Sequence, residues 1–69
     1  MNPKEVKELK DKYPIGTRVQ LDYVDDPHSP EIGTKGTVIC IDDIGTVFVH
    51  LDTGNLFGLI KEDRFHKCD

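Results

Sequence analysis

Asp42 and Asp43 stand side by side near the middle of the chain, with Asp52 further along. Loop carboxylates suit Mg²⁺ or Ca²⁺, but such ions need several oxygens, and two loops rarely supply enough without further acids. Aspartate also favours turns for a simpler reason, since its side chain bonds nearby backbone N–H groups. We read Asp42 and Asp43 as turn residues. His50, His66 and Cys68 are the softer donors, and His66 and Cys68 would share one face of a strand. A structural zinc site wants four ligands. His28 or Cys40 would have to complete it, and the chain has no CxxC spacing. No metal and no cofactor are expected. Ser29 beside His28 is not a catalytic constellation, because neighbours in an extended loop point apart and a nucleophile needs both a base and an oxyanion donor. The expectation is a protein that is not an enzyme.

What remains is the chemistry of contact. The stretch from Tyr23 to Ile32 carries Asp25, Asp26, Pro27 and Pro30, which mark it as a long loop, and long loops are often functional. Phe48, His50, Leu56 and Ile60 are apolar or aromatic positions predicted to point outward from two adjacent strands. An exposed patch of that kind suggests a partner. The candidate binding residues are therefore Tyr23, Asp26, His28, Phe48, His50 and Leu56.

These residues need a scaffold, and 69 residues allow a single domain. A chain of this size buries only about 60% of its unfolded surface, so its core must be one layer inside a tightly curved sheet or a few helices. The apolar residues are clustered, which argues against disorder. Nine basic and thirteen acidic residues leave a net charge of −4, which disfavours non-specific grip on nucleic acid. No segment approaches the roughly 18 apolar residues of a membrane span, and residues 1 to 12 lack the apolar run of a signal peptide. A cytoplasmic protein with Cys40 and Cys68 reduced is expected, Cys40 acting as a small hydrophobe within the most apolar strand.

Residues 1 to 14 predict a short helix. Asn2 is a good N-cap, Pro3 fits the first helical position, and Glu5 stands where a capping-box acid would. Val6, Leu9 and Tyr13 form a narrow apolar stripe, Lys4–Glu8, Lys7–Asp11 and Glu8–Lys12 are pairs of opposite charge, and Pro14 ends the segment. Such a helix is too weak to stand alone. Its stripe covers either an end of the sheet or the face carrying Phe48 and Leu56.

From position 16 onward the apolar period changes to two. Residues 17–23 alternate through Val19, Leu21 and Tyr23, and residues 46–51 alternate through Val47, Val49 and Leu51. Residues 35–41 hold the unbroken run Val38–Ile39–Cys40–Ile41, which signals burial on both faces or a bulge. Residues 56–60 and 65–68 complete about five strands. Gly45 and Gly54 are placed for positive φ in two hairpin turns, Gly36 for a bend entering the second strand, and Gly58 mid-strand where a side chain would crowd a neighbouring strand or the helix. The inside of the sheet is assigned to Val19, Leu21, Val38, Val47, Val49, Phe57 and Leu59. The fold class is mainly β: a small five-stranded SH3-like barrel over residues 16–68 behind a short N-terminal α-helix.

The series YPIGTRVQL (13–21), Asp26–Pro27, GTKGTV (33–38), IDDIGTVFV (41–49), LDTG (51–54) and GLI (58–60) resembles the KOW and translation-type SH3 pattern. More closely, it resembles a family of small proteins known as domain of unknown function 4314, common in phages and mobile elements of Gram-positive bacteria. Leu51 stands where that family usually has tryptophan, and Lys61 where a proline commonly follows. The resemblance implies an SH3-like fold and a phage or mobile-element origin, and it brings no activity with it. The leading expectation is a small module that binds a protein partner, with homodimerisation as a variant. A nucleic-acid-binding KOW-like module is the alternative, and it would require Arg18, Lys35, Lys61, Arg64 and Lys67 to converge. A third reading is an acidic anti-defence inhibitor presenting Asp22, Asp25, Asp26, Asp42 and Asp43.

Overall fold

The helix begins where its cap dictates. A computed structural model describes residues 2–26, 28 and 30–68, so Pro27 and Ser29 lie outside the described residues. Helix α1 spans Pro3–Lys12. The Asn2 side chain accepts from the Glu5 backbone N–H at 2.8 Å, and its amide donates to Glu5 Oε1 at 3.0 Å. This satisfies one of the orphan donors of the first turn. Among the described residues none of the expected ion pairs within the helix closes to 4.0 Å. Lys10 instead lies 4.0 Å from Asp43. At ten residues α1 is far too short to cross a bilayer, and no helix among the described residues is long and apolar enough to do so.

Five strands follow: β1 Arg18–Tyr23, β2 Lys35–Ile41, β3 Val47–Leu51, β4 Leu56–Leu59 and β5 Arg64–Lys67. All pair antiparallel in one sheet, in the order β4-β3-β2-β1-β5. The sheet is not closed, and β4 and β5 are its two edges. It curls on itself all the same, since the inward residues of β1 to β4 meet in one cluster. Val19, Leu21, Val38 and Val49 are fully buried there, with Val47, Leu51 and Leu59 almost so. Six of the seven residues assigned to the inside are in this cluster, and Phe57 packs half-buried against it.

The helix covers an opening of this curled sheet. Tyr13 belongs to the core cluster, its ring centroid is 5.0 Å from that of Phe65, and Leu9 packs against the same cluster. The strand that α1 touches is β2. Of the two placements open to the apolar stripe, the structure adopts the one that leaves the Phe48–Leu56 face uncovered.

Two bulges change which residues face outward. The β1–β5 register shifts between Leu21 and Tyr23, so Asp22 is an extra residue and the alternation inverts beyond it. Tyr23, expected to continue the inward series, is 50% exposed, and Val24 is buried in its place. The β2–β3 register shifts between Val38 and Cys40. Ile39 and Cys40 then both oppose Phe48 from the outer side, which exposes Cys40 and corrects its expected role as a core residue. Both cysteines are free thiols.

Candidate partner-binding surface

β3 is the strand from which the surface is built. Its inward residues are fixed by the core, so Phe48 and His50 must face out. The ladders place His50 between Thr37 of β2 and Leu56 of β4, and Phe48 between Cys40 and Gly58. A Cβ on Gly58 would lie 2.9 Å from Thr46 Cγ2 and 3.3 Å from Phe48 Cε1. The glycine is therefore what lets the Phe48 ring lie down across β4 and stay half-buried. Leu56 is 66% exposed, and Ile39 of β2 and Ile60 just past β4 are exposed as well.

The long loop reaches this surface from the other side. Glu31 and Thr34 close its base, with the Thr34 backbone N–H and hydroxyl donating to Glu31 O at 3.1 and 2.7 Å. Gly33 N–H donates back to Leu21 O at 2.7 Å. At its tip Asp26 Oδ1 accepts from the His28 backbone N–H at 2.8 Å, a local side-chain turn. The loop folds alongside the β3–β4 turn and encloses an open groove of about 670 Å³, whose walls include His28, Pro30, Leu51, Leu56 and Phe57.

The six candidates thus fall into three positions. His28 and Leu56 meet in the groove. Phe48 and His50 form the outer face of β3 next to it. Tyr23, at the end of β1, and Asp26, on the loop, sit apart. Tyr23 donates to Asp25 Oδ1 at 3.3 Å; the Asp25 charge, and then that hydrogen bond, raise the phenol above its ordinary range. Asp25 in turn donates its backbone N–H to Asp63 Oδ1 at 2.9 Å, while Asp63 Oδ2 accepts from Ile60 N–H at 2.9 Å. Asp63 clips the loop to the β4–β5 turn, a role that no local pattern announced. Pro30 and Phe57 were also missed as groove walls. The run Val38–Ile39–Cys40–Ile41 did carry the signal for the two extra outward residues of β2.

Asp42 behaves as a turn former, whereas the Asp43 carboxylate beside it lies 4.0 Å from Lys10. Asp42 Oδ1 accepts from Ile44 and Thr46 backbone N–H at 3.1 and 2.8 Å. No group of three or more His, Cys, Asp or Glu side chains is arranged to hold a metal ion among the described residues. Of the basic residues, Arg18 makes a fork onto Asp52, Nη1 to Oδ1 at 2.8 Å and Nη2 to Oδ2 at 2.6 Å, with Nη1 also donating to Thr37 Oγ1 at 2.8 Å. That hydrogen bonding, opposed by some desolvation, holds the Asp52 carboxyl below its ordinary range. Lys67 lies 5.7 Å from the Tyr13 ring centroid, and Lys61 and Arg64 border the gap between the two sheet edges. Lys35 also acts on the Asp52 carboxylate, beside Arg18.

No curated protein and no solved structure matches the chain. Residues 2–68 match a family described as Domain of unknown function (DUF4314). The match takes in the helix, all five strands and the long loop, and the chain belongs to the DUF4314 family.

Proposed function

We propose that this domain is a non-enzymatic binding module that engages a protein partner through the groove between the long loop and the β3–β4 turn, together with the outer face of β3. The observation that carries the reading is the meeting of His28 and Leu56, 28 positions apart in sequence, as walls of one groove. Leu56 keeps most of its surface in water on the wall of this groove. An apolar side chain left open beside a concave wall suits a partner that brings its own apolar anchor. The net charge of −4 gives less support to a phosphate backbone as the ligand. A cytoplasmic setting, with a phage or mobile-element source, is the matching biological reading.

The test is affinity capture from a host lysate, with protein identification by mass spectrometry, using the wild type and a Leu56→Ser, His28→Ala double variant. Both residues are exposed, so the variant is expected to keep its far-UV spectrum. Its captured partner should fall roughly tenfold or more if these are central contacts. Full retention by a folded variant overturns the reading. Sedimentation of the purified chain separates the homodimer variant, for which the double substitution should lower the apparent mass.

A further inference from the structure

A second groove lies beside the β4–β5 turn, between helix α1 and the adjoining ends of the two edge strands. Its volume is about 360 Å³. The floor is apolar: Leu9 and Tyr13 from the helix, Val47 and Leu59 from β3 and β4, and Phe65 from β5. The rim carries Lys12, Lys61 and Arg64. Two carboxylates, Asp22 and Asp63, line the groove as well, and both are hydrogen-bonded. Asp22 Oδ2 is 2.7 Å from His66 Nδ1, and Asp63 accepts two backbone N–H groups. None of Lys12, Lys61 and Arg64 is within 4.0 Å of a carboxylate among the described residues. Lys12 Nζ lies over the Tyr13 ring, 5.4 Å from its centroid, so its charge stands directly above part of the apolar floor. Three cations against two carboxylates leave this lining slightly positive in a chain of net charge −4.

The edges determine the shape of what fits. β4 and β5 each present one row of backbone N–H and C=O groups without a strand partner. An extended segment pairing with either edge satisfies that row and sends alternate side chains to opposite sides. One set then reaches the apolar floor and the other meets the cationic rim. We propose that the seam between β4 and β5 docks an extended segment of a partner protein that alternates apolar and acidic residues. Nucleic acid fits less well. The aromatic rings in the groove are the buried Tyr13 and the half-buried Phe65, so no open ring is offered for bases to stack on. This surface is separate from the loop groove, and either can fail alone.

The probe is a fluorescent decapeptide of alternating valine and glutamate, titrated by anisotropy at low ionic strength. The comparison ligands are the valine–lysine decapeptide and a single-stranded thymidine decamer. The acidic peptide should bind, weaken as salt is added, and shift the backbone amide resonances of Leu59 and Phe65. The Lys61→Glu, Arg64→Glu variant should bind it roughly tenfold or more weakly. Both side chains are exposed, and an unchanged far-UV spectrum verifies the fold. Absence of binding, equal binding of the lysine peptide, tighter binding of the thymidine decamer, or indifference to the double reversal each overturns the proposal.

Discussion

The two faces of β3 obey different rules. Inward, Val47, Val49 and Leu51 are nearly or completely buried, all aliphatic and each touching the same cluster. Outward, Phe48 is half-buried and His50 exposed, and their surroundings come from three different causes. A bulge in β2 supplies Ile39 and Cys40, a glycine in β4 makes room for a ring, and Leu56 sits open at the hairpin end. The inner face has one determinant, exclusion of water, which acts on every residue with a period of two. The outer face has several, and they act at single positions. Fold follows from the first kind of rule and any partner must read the second.

Substitution inside should therefore cost far more stability than substitution outside. Leu21 is among the largest fully buried side chains. Leu21→Ala should cost about 2–5 kcal/mol. A domain of this length commonly has about 3–10 kcal/mol in total, at about 0.05–0.15 per residue. Leu21→Ala is thus expected to unfold much of the population, whereas Leu56→Ser should stay within about 0.5 kcal/mol of wild type. Urea denaturation followed by far-UV circular dichroism measures both. Equal losses at the two positions would erase the distinction between the faces.

The same contrast explains what could be read from sequence. Alternation placed six core residues correctly because nothing else competes for them. It failed at Tyr23, where one extra residue in β1 inverts the parity and exchanges Tyr23 for Val24. The apolar run in β2 warned of a bulge without saying which side would receive the extra residue. The turn role of Asp42 was legible because the bonds are local. The joining of His28 to Leu56, the Asp63 clip on Asp25 and the cationic seam were not, because each depends on segments far apart in the chain. Pairwise distance of that sort is set by the curl of the open sheet and leaves no periodic trace.

Two glycines sharpen the comparison at intermediate cost. On the inner side, a Cβ at Gly36 would lie 3.0 Å from the His50 carbonyl oxygen and 3.3 Å from Leu51 Cα. These are backbone atoms of β3 and cannot retreat without disturbing the ladder. Gly36→Ala should cost about 1–3 kcal/mol from overpacking, offset by only about 0.4–1 kcal/mol from the stiffer unfolded chain. On the outer side, Gly58 faces a threonine methyl and the edge of Phe48. Those side chains can rotate away into solvent, so Gly58→Ala should stay within about 1 kcal/mol of wild type. Its larger effect should be to tip the Phe48 ring outward, visible as faster quenching of phenylalanine contacts in side-chain NMR. A greater loss at Gly58 than at Gly36 would mean that the outer face is as tightly packed as the inner one.

The smallest expected effect comes from the Arg18–Asp52 fork, which lies wholly on the outer face. Exposed ion pairs contribute little, but this one has a direction that can be read against pH. The Arg18 hydrogen bonds lower the Asp52 pKa in the folded state. A carboxyl shifted that way adds stability above its unfolded pKa, near 3.9 as an approximate reference, and loses it as pH falls through the lower folded value. Asp52→Asn keeps the shape and removes the charge. Wild type should therefore have the higher urea midpoint at neutral pH, and the difference should shrink through the acid range below about pH 5 and vanish well under the ordinary carboxylate pKa. Salt should shrink it at neutral pH as well, because the pair is open to solvent. A gap between the two proteins that persists unchanged at low pH would assign the fork to packing against Thr37 rather than to charge, and would move this corner of the outer face into the class of the inner one.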